Sequence, residues 1–289
     1  MAKLINVIVV VLNDKVGLLR TLNSILDQDV SNQQFRIVVV DGFSTDGSFE
    51  LATEMLDQGG FVFRSEPRGI YDAMNVGLAN VWKYPEDQGV LFLNAGDFFH
   101  SLRSLSILAA GLTEHSQVVG LSAFLDLSDR SEVSVPEVDF SRINSPVSMW
   151  LPHQSFCATI AVYKVVGVMN DKYRVAGDVE WFMRAISKIG VPHHISEIIS
   201  VQVIGGTSRR YAFLGYRERR TIASVMGVGV DRYPFGLLLR IYFSQKLGIR
   251  LPRFLQRKVQ RVGDSADDVV QRYEKVSKTT TNPESQPED

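Results

Sequence analysis

Cysteine is nearly absent. Cys157 stands alone in 289 residues, so no disulfide can close within the chain and no zinc cage of several thiolates is available. That economy suits a reducing compartment. No apolar run reaches the roughly 18–20 residues of a membrane span. The nearest approach, Leu4–Leu12 behind Lys3, imitates a short secretion signal. It contains Asn6, however, ends in Asn13-Asp14-Lys15 and has no small-residue cleavage site. Val and Ile fill it, as in a buried strand, and a cytoplasmic chain is the expectation. Also missing are a G-x-x-x-x-G-K-[ST] phosphate loop and a G-x-G-x-x-G after a strand. Their absence counts against P-loop hydrolysis and dehydrogenase chemistry. Gly227-Val228-Gly229 follows a helical pattern and is no substitute.

What is present suffices for a globular core: 45% of residues are hydrophobic and 22% charged, which excludes a largely disordered chain. Charge is balanced in total but not in place. Between Arg209 and Arg261 thirteen basic residues face only Glu218 and Asp231, a net +11 that leaves −12 on the rest of a chain totalling −1. A basic segment on an acidic body points to a phosphate-bearing partner: a nucleotide, a nucleic acid or anionic lipid.

Two periodicities alternate through the first hundred residues. Leu4–Leu12, Arg36–Asp41, Phe61–Arg64 and Gly89–Leu93 read as strands. Val16–Leu26, the segment running to about Leu56, and Ile70–Val81 read as helices between them, the second capped by Ser44, Thr45 or Asp46. Such alternation predicts an α/β fold with a mostly parallel sheet and helices on both faces. Ligands then gather at the carboxyl ends of the strands, which makes the loops after Asp41 and Leu93 the first places to search. Farther on, Val118–Phe124, Ala158–Val162 and Ile195–Val203 read as strands, Asp178–Ile189 as a helix, and the chain beyond Tyr211 as helices joined by Gly and Pro. The polar tail after about Lys275 is expected to be disordered.

Three loops carry candidate chemistry. In Leu93-Asn94-Ala95-Gly96-Asp97, a carboxylate just past a strand suits Mg²⁺ or Mn²⁺, hard ions that need few protein ligands when substrate phosphates complete the shell. Its bland alternative is a helix cap for a segment starting near Ser101. In Pro67-Arg68-Gly69-Ile70-Tyr71-Asp72-Ala73-Met74-Asn75, a turn leads into a helix start that projects Tyr71 or Asp72 and Asn75 one turn apart, an anion site or merely a solvated helix end. In Gly177-Asp178-Val179-Glu180, Asp178 is either a general base or a charge favoured by the helix dipole. His153-Gln154, in apolar surroundings, reads as a structural pair.

The order of these loops resembles the family 2 inverting glycosyltransferases of the GT-A fold, in the subgroup that makes bacterial surface polysaccharides. The resemblance rests on Val39–Ser48, Glu66–Asn75, Phe92–Asp97, Pro152–Phe156, Ala176–Arg184 and Ile204–Ser208. It implies a nucleotide-sugar donor, a divalent cation (Mg²⁺ or Mn²⁺) and a glycan or lipid-linked acceptor. By that resemblance Asp41 lies at the nucleobase, Asp97 is the last acid of the metal motif and Asp178 is the base; Asp72, Asn75, Asn94 and Arg209 are expected on the donor side. Gly42 replaces a frequent Asp, Asn94 the first acid of the metal motif, and Met74 a frequent Arg.

The expected organisation is a GT-A domain over 1–225, a basic helical extension over 226–275 and a disordered tail over 276–289. Within the extension, Phe235–Lys258 interleaves apolar with basic residues, as an interfacial helix on an anionic membrane would. A helical flap packed on the body is the other reading. Rivals to transfer are a nucleotidyltransferase, for which Val11–Lys15 lacks the Gly-rich basic loop, and a non-enzymatic sugar-nucleotide binder. A nucleic-acid partner is not expected.

Overall fold

The computed structural model describes residues 3–30, 34–57, 59–125, 133–135, 151–203, 211–228 and 260–261. Its first half follows the alternating pattern: β1 (Ile5–Val11), α1 (Lys15–Leu26), β2 (Phe35–Asp41), α2 (Ser48–Met55), β3 (Gly60–Arg64), α3 (Ile70–Val81) and β4 (Gly89–Phe92). β1 pairs in parallel with β2 and β4, and β2 with β3. All seven residues of β1 are buried, because helices cover both faces of the sheet. Ile8 and Val10 enter one core with Met74 and Leu78 of α3. Val7, Val9 and Val11 enter the opposite core with Leu18 and Leu22 of α1. Two apolar faces demand a continuous Val/Ile run rather than alternation, and each such side chain contributes about 1.5–3 kcal/mol on burial.

The rest comprises β5 (Phe98–Phe99), α4 (Ser104–Glu114), β6 (Gln117–Leu125), β7 (Val133–Val135), a 3-10 turn at His153–Ser155, β8 (Phe156–Thr159), α5 (Ile160–Val166), α6 (Gly177–Ile189), β9 (His193–Val203), α7 (Ala212–Val225) and β10 (Gln260–Arg261). The described strands form one sheet in the order β10-β7-β6-β8-β4-β1-β2-β3, with β9 paired to β6 and β5. β8 runs antiparallel to both β4 and β6. It thereby delivers the turn His153–Ser155 to the end of the sheet where β1, β2 and β4 finish.

Two expectations change. The strand expected over Ala158–Val162 ends at Thr159 and turns into α5. β-Branched residues mislead here because the first N–H groups of α5 find acceptors outside the helix: Ile160 donates to Gln88 O and Ala161 to Glu86 O, each at 2.9 Å. The helix after Asp97 starts at Ser104, with Arg103 at its N-cap, so Asp97 caps no helix. Of the expected extension 226–275, only 226–228 and 260–261 are described, the latter pairing antiparallel with β7. Residues 235–258 and the tail 276–289 lie outside the described residues. Among the described residues no helix is long and apolar enough to cross a membrane.

Candidate active site

The site is built from loops at the carboxyl ends of β1, β2 and β4. Asp41 ends β2 in register with Val11 and is fully buried. Its Oδ2 accepts from the Ser44 N–H at 3.0 Å and lies 3.7 Å from Nε of Arg64, which ends β3. Its Oδ1 has no protein partner. A buried acceptor left open in this way is costly unless a ligand donor completes it. Arg64 also stands 3.9 Å from the ring centroid of Phe49 and 5.7 Å from that of Phe43, which is 48% exposed. Neighbouring loops are stitched together: Asn13 N–H donates to Ser44 Oγ at 2.9 Å and Lys15 N–H to Asp46 Oδ2 at 2.8 Å. None of the three candidate caps stands at the N-cap of α2, which is Gly47; Asp46 just before it holds the first turn, its Oδ1 accepting the N–H and hydroxyl of Ser48 at 3.0 and 2.6 Å.

Past β4 the chain makes a turn closed by Asp97 N–H donating to Asn94 O at 3.0 Å. Thr21 of α1 clamps it, accepting the Gly96 N–H at 3.0 Å and lying 2.7 Å from Asp97 O. The Asp97 carboxylate accepts from Gln154 Nε2 at 2.8 Å and from the Val203 N–H at 3.1 Å. Burial pushes its pKa up to about 6, against the opposing pull of Gln154 and His153. Asn94 Oδ1 and Gln154 Oε1, both buried, have no protein partner. Among the described residues no three His, Cys, Asp or Glu side chains gather into an all-protein metal cage. A hard divalent ion that keeps its waters and binds diphosphate needs no such cage. One desolvated carboxylate beside an open amide oxygen fits it.

Asp178 opens α6, its second residue. Tyr71 at the start of α3 reaches it: the phenol lies 3.0 Å from Asp178 Oδ1 and 2.8 Å from Val175 O. The ring packs so closely on Gly177 that an added Cβ would fall 2.7 Å from Cδ2. The Val179 N–H donates to Oδ1 at 2.9 Å, and His153 Nδ1 stands 3.5 Å from Oδ2. Burial alone would raise the Asp178 pKa; His153, Arg219 and the Val179 N–H outweigh it and hold the group below the usual carboxylate range. On its other side His153 Nε2 meets Asn94 Nδ2 at 3.0 Å. With the Asn94 amide so oriented its nitrogen donates, and in the tautomer that carries the ring proton on Nδ1 the Nε2 accepts it while Nδ1–H faces Asp178.

His153 and Gln154 therefore join the turn carrying Asp97 to the helix carrying Asp178. Sequence reasoning had treated the pair as structural; the available signal was two polar side chains after Pro152 in an apolar stretch. Glu218 of α7 was likewise missed as a site residue. Its carboxylate accepts from three successive backbone N–H groups just before α6: Arg174 and Val175, each at 2.8 Å, and Ala176 at 2.9 Å. Asn75 turns both ends of its amide to Met169, donating to its carbonyl at 2.8 Å and accepting its N–H at 2.9 Å. Asp72 lies half-buried in the first turn of α3. Arg209 lies outside the described residues.

Residues 6–130 match the family model described as Glycosyl transferase family 2. No curated protein matches the sequence significantly. Among solved structures, S. aureus TarS 1-349 superposes with a TM-score of 0.59 at 20% identity, over 85% of this chain and 72% of that one. The same TarS fragment in complex with UDP-GlcNAc gives 0.59 at 21% identity over 83% and 73%. The mannosyltransferase PcManGT from Pyrobaculum calidifontis, in complex with GDP-Man and Mn²⁺, gives 0.53 at 16% identity over 93% and 72%. The segment that carries Asp41 and Asp97 is thus a Glycosyl transferase family 2 segment, and the sheet that continues beyond it shares the GT-A fold of these glycosyltransferase structures.

Proposed function

We propose that the protein is an inverting glycosyltransferase that moves one sugar from a nucleoside-diphosphate donor to a hydroxyl of a glycan or lipid-linked acceptor, in surface-polysaccharide synthesis. The observation that carries this reading is the chain of contacts from Asp97 through the neighbours Gln154 and His153 to Asp178, which links a desolvated donor-side carboxylate to an ionised candidate base. Asp178 takes the proton of the acceptor hydroxyl. The oxygen then forms its bond to the anomeric carbon from the face opposite the leaving group, and the bond from that carbon to the phosphate oxygen breaks, its electron pair leaving on the nucleoside diphosphate. His153 presents Nδ1–H to Asp178 and, with Tyr71, keeps the carboxylate ionised and oriented.

On the donor side the open Oδ1 of Asp41 suits an N–H of the nucleobase, and Arg64 with Phe43 flanks it. Asp72 and Arg209 are assigned to the diphosphate and sugar side, with Asn75 holding the start of α3 through Met169. A divalent cation, Mg²⁺ or Mn²⁺, would be held by Asp97 with Asn94 Oδ1 and supplies positive charge against the departing phosphate. PcManGT with GDP-Man and Mn²⁺, and TarS with UDP or UDP-GlcNAc, support a nucleotide-sugar donor. The basic-apolar sequence of 235–258 supports peripheral contact with the inner face of an anionic membrane.

The test is release of nucleoside diphosphate from a panel of nucleotide sugars with Mn²⁺ and a glycan acceptor. Asp178→Asn is expected to abolish transfer while leaving donor binding intact. Full activity in that variant overturns the assignment of the base. No release from any donor favours the non-enzymatic binder, and pyrophosphate production the nucleotidyltransferase.

A further inference from the structure

The base-bearing helix α6 begins in a loop that has no side-chain cap of its own: Ala176 at its N-cap makes no side-chain bond. What fixes that loop comes from elsewhere in the chain. Arg174, Val175 and Ala176 point three consecutive N–H groups at one carboxylate, that of Glu218, all within 2.8–2.9 Å. Successive N–H groups converging in this way form an anion nest, and charged acceptors make the stronger hydrogen bonds. The helix that brings Glu218 is seated on the same loop. Gly215 packs against Val175 so closely that an added Cβ would fall 2.9 Å from Val175 Cγ1. The guanidinium of Arg174 lies 4.9 Å from the Tyr211 ring centroid, just before α7. Val175 is also the residue whose carbonyl shares the Tyr71 phenol with Asp178. The loop held by Glu218 thus holds one end of the hydrogen-bond set around Asp178. In sequence Glu218 is an isolated acid between Arg217 and Arg219, in a segment otherwise almost wholly basic.

We infer that Glu218 is the positioning residue of the base: by binding the 174–176 backbone it sets where Asp178 stands relative to the acceptor hydroxyl. This rests on the reading of Asp178 as base. It assigns α7 a role in the transfer step, although the family match ends at residue 130.

Glu218→Gln keeps the length of the side chain but puts an amide NH₂ where a carboxylate oxygen accepted, so at least one of the three N–H groups loses its partner. Displacement of a reacting group by about 1 Å can cost 100-fold in rate. The full-length variant is expected to lose up to that in kcat, with UDP affinity by calorimetry held within about twofold. Hydrogen exchange at the amides of 174–176 is expected to quicken. Glu218→Asp, shorter but charged, is expected to recover part of the kcat; it also serves if the Gln variant fails to fold. Wild-type kcat in Glu218→Gln overturns the inference. So does a loss of kcat matched by an equal loss of UDP affinity, which marks a merely structural clamp. If the wild-type protein transfers no sugar, the base reading itself fails, while the exchange measurement still reports whether the clamp exists.

Discussion

The two halves of this sheet hold their polar groups in different ways. Around β1 and β2 the site loops are tied to each other by near-sequence bonds: Asn13 to Ser44 and Lys15 to Asp46, each 31 residues apart. They are positioned by parallel strands whose apolar runs leave no choice of register. On the side of β8, α6 and α7 the separations run from 25 for His153 to Asp178 and 57 for Gln154 to Asp97 up to 104 for Tyr71 to Val175 and 107 for Tyr71 to Asp178. The first half is a platform that leaves the buried Asp41 Oδ1 open, as binding requires. The second is a network of ionisable groups meeting across the fold, suited to proton transfer. On the proposed function, the nucleotide side and the catalytic side can then vary independently, one by strand-end residues and the other by helices brought in from afar.

Mutations on the two sides sharpen that division. The largest effect is expected for Asp178→Asn, since a general base contributes about 10²–10⁴-fold in rate; kcat falls by that order while donor binding stays unchanged. Its counterpart, Asp41→Asn, replaces the open carboxylate oxygen on the platform. There donor affinity is expected to fall roughly tenfold to 100-fold, with kcat at saturating donor largely kept. Steady-state kinetics with calorimetry checks both, and a large kcat loss in Asp41→Asn would erase the division.

Next in size is Asp97, the hinge between the halves. Burial pushes its folded pKa up to about 6 from the ordinary 3.8. Between those values the unfolded chain gives up its proton while the folded one keeps it, so stability drops as pH rises and the loss is complete above about pH 6. The shift corresponds to on the order of 3 kcal/mol. In the metal-free protein, Asp97→Asn is therefore expected to raise the melting temperature at pH 7.5 but not at about pH 4, while removing activity, a trade of stability against function. Melts of both proteins in chelator at the two pH values check this; equal melting temperatures at pH 7.5 would sink it.

How much of this was legible from sequence follows the same division. β1, β2, β3 and α3 could be read because their pattern is local, and Asp41 and Asp97 because they end or closely follow such strands. Asp178 was visible as an acid at a helix start. His153, Tyr71 and Glu218 were not visible in these roles, because their partners lie 25, 107 and 42–44 residues away and no periodicity encodes that pairing. α5 was misread for a related reason: its β-branched residues favour a strand locally, while the Glu86–Gln88 carbonyls that receive its first N–H groups come from another part of the chain.

Gly177→Ala tests the packing side of the network with a smaller change. The new methyl would meet the Tyr71 ring at 2.7–3.0 Å, so the ring must move and take its phenol from Asp178 and Val175. Overpacking of this kind costs about 1–3 kcal/mol, and kcat is expected to fall more than donor affinity.

The smallest effect is expected on the platform, at exposed Asp46, whose carboxylate binds Ser48 and the Lys15 N–H. The Ser48 hydroxyl, followed by the Lys15 and Ser48 N–H groups, lowers its pKa from 3.8. A depressed carboxylate contributes stability above its unfolded pKa and loses it as pH falls through the folded value. Asp46→Ala is thus expected to lower the melting temperature slightly at pH 7, with the gap between the two curves narrowing as pH falls below about 4. A gap that did not narrow at all on acidification would mean that the loop stitch depends on the shape of the side chain and not on its charge. The platform would then be held as the catalytic half is, by fit between distant parts.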